Sequence, residues 1–411
     1  MNPRLNHLEP YPFEKLATLL ANTTPETSLV PINLSIGEPK HPPAPFLLDA
    51  MRDSLIEVSK YPSTAGMPEL RRAACQWAEK RYGLDAGALD PERNLLPVNG
   101  TREALFSIVQ AVVDPAPKNR SKPVVLMPNP FYQIYEGAAI MAHAEPVYMN
   151  ASEVEGFLPD FGALPPSLLD RVQLLYLCTP SNPTGAAFSL ERLQTLIQLA
   201  DRHDFVIISD ECYSEIWYQT PPPGILEAAW RAGRRDFSRC LSFQSLSKRS
   251  NLPGARSGFV AGDASILKKY LQLRTYTGCS TPPFIQRAAI AAWLDESHVE
   301  DNRVIYRQKL AEALEILSPV LPVKAPDAGF YLWLKVPSGG ERFAHRLYER
   351  YNVTVLPGAY LSRANGLATH PSAAGNPGEA CVRVAMVASV EENREAMQRI
   401  AACARELQAG N

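Results

Sequence analysis

The sequence predicts an α/β protein in which a mostly parallel sheet is covered by helices on both faces. Short apolar runs alternate with amphipathic helical patterns through the middle of the chain, and this alternation is typical of parallel sheets. The chain has 411 residues, enough to bury a large core and to form two domains. The predicted buried strands are 124–127, 174–178, 205–208 and 258–261, and helices are predicted at 102–113 and 190–202.

From about residue 297 the pattern indicates a smaller α+β domain. Residues 1–45 are rich in proline, and we expect them to be irregular and to pack against this domain or a partner subunit. The prediction is therefore a large α/β domain over 46–296 and a small α+β domain formed by 1–45 and 297–411. The elements predicted for the small domain are a helix at 298–317, strands at 330–334, 353–356 and 381–386, and a final amphipathic helix.

Composition excludes several classes of partner. The net charge of −2 gives no reason to expect nucleic acid or an anionic membrane surface. No apolar run approaches the roughly 20 residues that span a bilayer, and the N-terminus lacks the apolar segment of a secretion signal. Seven cysteines without a Cys-x-x-Cys pair fit a reducing cytoplasm, and seven scattered histidines offer no metal-ligand spacing. We therefore expect a cytoplasmic protein without a metal site.

Polar side chains follow several of the predicted strands. Asn182 comes after the strand at 174–178, Asp210 comes after the strand at 205–208, and Lys248 follows the apolar run at 240–243. Ligands of open α/β sheets bind beyond the carboxyl ends of the strands. This shared placement predicts one ligand site at that edge of the sheet.

Lys248 is the most informative residue because it lies among small hydroxyl residues at such a strand end. A partly desolvated lysine can act as a nucleophile towards carbonyl cofactors. Ser245, Ser247 and the guanidinium of Arg256 are suited to bind a phosphate dianion beside it. The alternative for this segment is a solvated basic loop.

Other motifs also allow two interpretations. The turn before Thr101 can bind a phosphate at a helix start or be an ordinary helix cap. Asp210 can cap the segment after its strand or keep a pyridine nitrogen protonated. Tyr132 can stack on a planar cofactor or pack in the core. Arg383, within an apolar strand, should pair with a carboxylate of the protein or of a substrate, and we favour the substrate.

Competing catalytic motifs are incomplete. Ser245-Leu246-Ser247-Lys248 matches the Ser-x-x-Lys of penicillin-recognising hydrolases, but the Ser-Asp-Asn and Lys-Thr-Gly elements are missing. The chain also has no Gly-x-Gly-x-x-Gly, P-loop or His-Glu-x-x-His motif.

Taken together, these residues resemble the class I/II pyridoxal phosphate-dependent aminotransferases, which have the aspartate aminotransferase fold (fold type I). The resemblance covers nearly the whole chain, from the segments 35–39 and 61–66 to Arg383. One departure is Ser257, where the lysine motif usually has an apolar residue. The resemblance implies a pyridoxal 5′-phosphate cofactor, amino-acid and 2-oxo-acid substrates, and a homodimer with shared active sites.

The resemblance also implies a role for each matching residue. Lys248 would bind the cofactor covalently and act as base, Asp210 would pair with the pyridinium nitrogen, and Tyr132 would stack on the ring. Hydrogen bonds to the phenolate oxygen would come from Tyr213 and Asn182. The remaining roles are the phosphate site, formed by Thr101, Arg102, Ser245, Ser247 and Arg256 with Tyr61 of the neighbouring subunit, and the substrate α-carboxylate site, formed by Gly37, Asn182 and Arg383.

Within the family, the segments 33–42, 128–137, 209–216 and 247–251 are closest to bacterial N-succinyldiaminopimelate aminotransferases. The implied reaction is reversible amino transfer between N-succinyl-LL-2,6-diaminopimelate and 2-oxoglutarate, a step towards lysine and diaminopimelate. Arg274 and Lys40 are the nearest basic residues in sequence for the far carboxylates of such a substrate.

Three alternatives stay open. One is an aminotransferase for aspartate, alanine or an aromatic amino acid, although no arginine directly precedes Ser280-Thr281-Pro282-Pro283, which counts against aspartate. Another is a lyase or synthase of the same fold. The third is a regulator, which would carry a DNA-binding domain before the fold, and no basic extension of about 60 residues precedes Ser35.

Overall fold

The computed structural model describes residues 1–117, 121–369 and 373–410. The strands of these residues are β1 Ile32–Asn33, β2 Leu95–Val98, β3 Val124–Asn129, β4 Glu145–Asn150, β5 Val172–Cys178, β6 Val206–Asp210, β7 Cys240–Ser245, β8 Gly258–Gly262, β9 Tyr331–Lys335, β10 Val353–Thr354, β11 Leu356–Pro357 and β12 Cys381–Ala385. The helices are α1 Pro12–Leu20, α2 Pro45–Asp53, α3 Pro68–Tyr82, α4 Thr101–Ser107, α5 Val109–Val112, α6 Gln133–Met141, α7 Pro166–Leu169, α8 Leu190–His203, α9 Ile225–Arg231, α10 Leu246–Arg249, α11 Ala264–Thr277, α12 Pro283–Leu294, α13 Ser297–Leu317, α14 Gly340–Tyr351 and α15 Val390–Ala409.

The larger sheet has seven strands in the order β2-β8-β7-β6-β5-β3-β4. Strands β7, β6, β5, β3 and β4 are mutually parallel, and β8 runs antiparallel to both of its neighbours. The predicted mostly parallel α/β sheet is therefore confirmed. In the register, Cys178 of β5 pairs with Asp210 of β6, and Asp210 pairs with Phe243 of β7. The carboxyl ends of the three central strands thus lie side by side.

Alternating residues of the central strands bury two separate hydrophobic clusters. Leu175 and Ile207 belong to the cluster that includes α3, α8, α9 and α12, while Tyr176 and Ile208 belong to the cluster that includes α4, α6 and α11. Side chains of a strand point alternately to opposite faces. Because both faces are covered by helices, β3, β5, β6 and β8 each contain a continuous apolar run, which explains why such runs identified them.

The smaller sheet is antiparallel, with the order β11-β12-β9. It packs with α13, α14 and α15 around a third cluster of buried apolar side chains. The N-terminal segment joins this part because β1 pairs in parallel with β10, with Ile32 opposite Val353. The domain boundaries at residues 46 and 297 stay a prediction.

Three local expectations were wrong. The helix predicted at 102–113 is interrupted at Ile108, and the strand predicted at 353–356 is divided between β10 and β11, which pair in different sheets. The first 45 residues are not irregular throughout, because α1 forms a helix whose Leu16 packs against Leu356 and Leu361. No described helix has the length and apolar composition to cross a membrane.

Candidate active site

A cavity of about 490 Å³ lies at the carboxyl ends of β5, β6 and β7. All but one of the residues predicted to act in catalysis, to bind the cofactor or to bind the substrate α-carboxylate line this cavity. Only Tyr61 does not, and its side chain is fully exposed in the single chain. The predicted residues that line the cavity are Gly37, Thr101, Arg102, Tyr132, Asn182, Asp210, Tyr213, Ser245, Ser247, Lys248, Arg256 and Arg383.

Lys248 lies on α10, directly after β7. Its Nζ donates a hydrogen bond to the carbonyl oxygen of Gly37. Burial lowers the pKa of Lys248 to about 8, and the charges of Arg383 and Arg256 act in the same direction, while Cys212 and Glu38 oppose it. A larger fraction of this amine is therefore neutral near neutral pH than in an exposed lysine, and only the neutral amine is nucleophilic.

Asp210 is a buried carboxylate at the end of β6. Its Oδ2 accepts a hydrogen bond from the Tyr135 hydroxyl at 2.7 Å, and its Oδ1 accepts one from the Cys212 backbone N–H at 3.3 Å. Burial raises the pKa of Asp210 although both hydrogen bonds oppose the rise. Asp210 makes no ion pair within the described part of the chain, and a cationic N–H in the cavity would stabilise its charged form.

The predicted phosphate site combines hydroxyls with an arginine. Ser245 Oγ accepts from the Ser247 backbone N–H at 3.1 Å and so caps α10. Arg256 donates to the carbonyl of Pro253 at 2.9 Å and has no carboxylate partner among the described residues. Gly100 allows the close approach of Arg256: its φ is +76°, and a Cβ there would lie 2.4 Å from Arg256 Nη2. The hydroxyls and the guanidinium of Arg256 line the cavity, so an anion can bind there.

Arg102 and Tyr132 line the same cavity but have different surroundings. The Arg102 guanidinium is exposed and lies over the ring of Tyr11, 5.2 Å from its centroid. The Tyr132 ring meets Tyr135 edge-on, with centroids 5.8 Å apart. Tyr132 can therefore offer a ring face to a planar group, while the Arg102 side chain is held by the N-terminal segment.

Arg383 is a buried cation without a buried counter-charge. Its Nη1 donates to Asn182 Oδ1 at 3.0 Å and its Nη2 to the carbonyl of Ser35 at 2.7 Å. It lies over the Tyr331 ring, 4.4 Å from the centroid, and is only 4% exposed. Its Nε has no hydrogen-bond partner, and no carboxylate pairs with it among residues 1–117, 121–369 and 373–410. An unpaired buried charge is costly, so the arrangement favours a ligand carboxylate.

Sequence reasoning missed several residues of the cavity. Tyr331 lines the cavity, and its hydroxyl lies 3.1 Å from that of Tyr213; Tyr135 lies behind the cavity and donates to Asp210. Tyr11 and Phe13 from the N-terminal segment also line the cavity. The sequence offered one usable signal, because Tyr331 lies in the aromatic run at 330–334, which was predicted as a strand of the same small domain as Arg383.

Arg274 and Lys40, the nearest basic candidates in sequence for the far carboxylates, do not line the cavity. Arg274 is buried and pairs with both carboxylate oxygens of Glu103, at 2.9 and 2.8 Å, and with Asn99 Oδ1 at 3.0 Å. This ion pair neutralises the charge of Arg274 and links α11 to α4. Lys40 is exposed to solvent.

The donor set of the cavity fits pyridoxal 5′-phosphate. Lys248 supplies an amine of lowered pKa, Asp210 supplies a buried carboxylate without a cation, and Arg256 with the nearby hydroxyls can bind a phosphate. The described residues contain no group of three or more histidine, cysteine, aspartate or glutamate side chains that could hold a metal ion.

Comparison with known proteins gives matches along nearly the full chain. The family described as aminotransferase class I and II matches residues 30–400. An LL-diaminopimelate aminotransferase from Desulforudis audaxviator (strain MP104C) is 31% identical over 407 residues, covering 97% of each chain. A solved aminotransferase structure from Neisseria meningitidis Z2491 has a TM-score of 0.92 and 44% identity, covering 98% of this chain and 100% of that one. A probable N-succinyldiaminopimelate aminotransferase from Thermus thermophilus has a TM-score of 0.80 and 27% identity, covering 95% and 98%.

The family match agrees with the residues that line the cavity. The match extends over the larger and the smaller sheet and the β1-β10 pair, and it includes every cavity residue from Ile36 to Arg383. The amine, the buried carboxylate and the anion site suit the cofactor of that family. The chain therefore belongs to the class I and II aminotransferases and uses pyridoxal 5′-phosphate as its cofactor.

Proposed function

We propose that the protein transfers an amino group between N-succinyl-LL-2,6-diaminopimelate and 2-oxoglutarate. The observation that carries the reaction class is the buried Arg383 guanidinium, whose Nε has no partner and which lies in the same cavity as Lys248. A planar guanidinium binds a carboxylate through two parallel hydrogen bonds. An amino acid held there by its α-carboxylate would present its amino group and Cα to the cofactor.

The residues of this chain divide the work of amino transfer. Pyridoxal 5′-phosphate, when bound, supplies a protonated ring that accepts electrons from the substrate carbon. We assign Lys248 Nζ to hold the cofactor and then to move the proton of the substrate Cα. Asp210 keeps the ring nitrogen protonated, and the Tyr213 hydroxyl and Asn182 amide orient the ring oxygen. Thr101, Ser245, Ser247 and Arg256 anchor the phosphate.

The choice of donor is supported by the wall of the cavity and by the relatives. Tyr11, Phe13 and Ile36 line the cavity with apolar surface contributed by the N-terminal segment. Succinylation replaces the far ammonium by a neutral amide and two methylenes, which can pack on such a wall, and places the new carboxylate farther from the reacting carbon. The Thermus thermophilus structure named as a probable N-succinyldiaminopimelate aminotransferase agrees with this choice. The Desulforudis audaxviator relative, named as an LL-diaminopimelate aminotransferase, favours free LL-diaminopimelate as a second candidate.

A competition between amino donors tests the proposal. Both diaminopimelate compounds, aspartate and an aromatic amino acid are compared with 2-oxoglutarate as acceptor. We expect kcat/KM for the succinylated donor to exceed that for each other donor by at least about tenfold, or about 1.4 kcal/mol. A preference for free LL-diaminopimelate would select the second candidate, and a preference for aspartate or an aromatic donor would reject both.

We also propose that the working unit is a two-fold dimer in which Tyr61 reaches the phosphate site of its neighbour. Tyr61 lies outside its own cavity, and exposed apolar side chains surround it in sequence. Isologous dimers bury such surfaces on both subunits. The large exposed apolar residues of this segment are Leu55, Ile56, Val58 and Tyr61.

Subunit mixing tests this sharing. Hybrids of Lys248→Ala and Tyr61→Ala chains should regain activity, because one site would combine an intact Lys248 with the Tyr61 of the other chain. Arg256→Ala serves as the matched control, because Arg256 and Lys248 line the cavity of the same chain. In hybrids of Arg256→Ala with Lys248→Ala chains each site lacks one of the two residues, so these hybrids should stay inactive. Equal behaviour of the two mixtures, with hybrids verified by mass, would reject the shared site.

A further inference from the structure

Lys309 is a fully buried lysine of α13 that has no carboxylate beside it. Its side chain is 0% exposed, and no acidic group pairs with it in the part of the chain that the structure describes. Burial lowers the pKa of Lys309 to about 8, with Lys40 acting in the same direction and Glu391 and Glu392 opposing it. A buried cation without a counter-ion is costly to the fold, so its position needs another reason.

The hydrogen bonds of Lys309 join three segments of the chain. Its Nζ lies 2.6 Å from His41 Nε2 and donates to the carbonyls of Met386, at 3.2 Å, and Ala388. His41 Nδ1 lies 2.9 Å from Asn302 Oδ1. Because an amide oxygen only accepts, His41 carries its proton on Nδ1 and accepts from Lys309 on Nε2. Asn302 Oδ1 also accepts from Asn251 Nδ2 at 3.2 Å, which agrees with this orientation of the amide.

One end of this network reaches Lys248. Asn302 Nδ2 donates to the backbone carbonyl of Lys248 at 3.4 Å. The segment 37–41 reaches the same residue from the other side, because the Gly37 carbonyl accepts from Lys248 Nζ. The backbone and the side chain of Lys248 are thus both connected to the segment that ends at His41.

The other end of the network reaches the strand of Arg383. Met386 directly follows β12, which carries Arg383, and Ala388 lies two residues further on. Lys309 therefore contacts the end of that strand and, through His41 and Asn302, the loop of the catalytic lysine. None of these three residues lines the active-site cavity.

We propose that Lys309, His41 and Asn302 form a positioning relay that sets where Lys248 Nζ stands relative to the Arg383 guanidinium. Amino transfer needs both groups in place at once, because Arg383 fixes the carboxylate while Lys248 acts on the neighbouring carbon. Misplacement of reacting groups by about 1 Å can cost roughly a hundredfold in rate. The inference rests on aminotransferase chemistry and goes beyond the choice of donor, since it applies to any α-amino acid.

The kinetic test begins with Lys309→Met, which removes the hydrogen-bond donors of Nζ and keeps a side chain of similar length. We expect kcat to fall at least tenfold while KM for the amino donor changes less than threefold, because the contacts of Arg383 with Asn182 and Ser35 remain. His41→Phe should give the same loss. His41→Gln, which retains both an acceptor and a donor, should recover most of the kcat that His41→Phe loses.

A second measurement reports the reactivity of the Lys248 amine independently of catalysis. In the full-length, cofactor-free protein, the rate of reductive methylation of Lys248 is followed by peptide mass spectrometry. Relay variants should change this rate more than threefold. Leu317→Ala is the matched control, because Leu317 is buried on the same helix outside the relay and its truncation destabilises the fold. It should change neither kcat nor the methylation rate.

The double variant Lys309→Met/His41→Phe separates positioning from stability. Replacing His41 as well removes the Nε2 acceptor that Lys309→Met leaves unpaired, so the double variant has one unsatisfied group fewer than Lys309→Met and should fold even if Lys309→Met does not. Residues acting as one unit should show a kcat loss close to that of one single variant rather than the product of both. Multiplying losses, or changes in kcat and methylation no larger than those of Leu317→Ala, would overturn the proposal.

Discussion

Arg383→Lys tests whether the buried guanidinium binds the substrate carboxylate. The substitution keeps the positive charge but removes the planar fork that donates to Asn182 at 3.0 Å and to Ser35 at 2.7 Å. Breaking a buried, hydrogen-bonded charge pair costs about 2–5 kcal/mol. Since each tenfold change in rate corresponds to about 1.4 kcal/mol, kcat/KM for the amino donor should fall by roughly 30-fold to several thousandfold.

The assay compares an amino acid with its decarboxylated amine, which cannot use a carboxylate site. In the wild type the amino acid should be strongly preferred. Arg383→Lys should reduce this preference by the same factor by which kcat/KM for the amino acid falls, leaving the amine nearly unaffected. Equal losses for both compounds would show that Arg383 only supports the fold. Arg256→Lys is the control: it should weaken cofactor retention and leave the preference unchanged.

Two further predictions concern Asp210 and Lys248. Asp210→Asn should keep the fold and lower kcat by at least about a hundredfold, because a neutral amide no longer holds the ring nitrogen protonated. Normal turnover of this variant with full cofactor occupancy would show that Asp210 has only a structural role. Lys248→Met should raise the Tm of the cofactor-free protein more at pH 7 than at pH 10. The pKa of Lys248 is lowered to about 8 in the folded chain, against about 10.4 when unfolded. The buried ammonium therefore destabilises the fold fully below pH 8, and this cost decreases as pH rises from 8 towards 10.4. An equal Tm difference at both pH values would contradict the lowered pKa.

The sequence predicted the elements whose pattern reports burial directly. Strands covered on both faces tend to contain continuous apolar runs, so β3, β5, β6 and β8 could be located. Asn182 after β5 and Asp210 at the end of β6 then indicated the ligand edge. Arg383 could be identified as a site residue because a cation inside an apolar strand requires an anionic partner.

Contacts between segments distant in sequence could not be predicted in this way. Arg274 was a candidate for the far carboxylates from its place in the chain, but the face of α11 that carries it packs against Glu103 of α4. Lys309 looks like a surface residue of an amphipathic helix, yet the fold brings His41 and the end of β12 against it. Such pairs depend on tertiary packing, which periodicity does not report.

The central claim is that Lys248 is the amine that holds the cofactor, and borohydride reduction followed by peptide mapping tests it most directly. Lys309 is an informative comparison, because burial lowers its pKa to about 8 as it does that of Lys248, but Lys309 is 0% exposed and does not line the cavity. Reduction should place the pyridoxyl group on the peptide that contains Lys248, and Lys248→Ala should abolish this label while the protein still binds the cofactor. A pyridoxyl group found on Lys309 or on any other lysine would contradict the account.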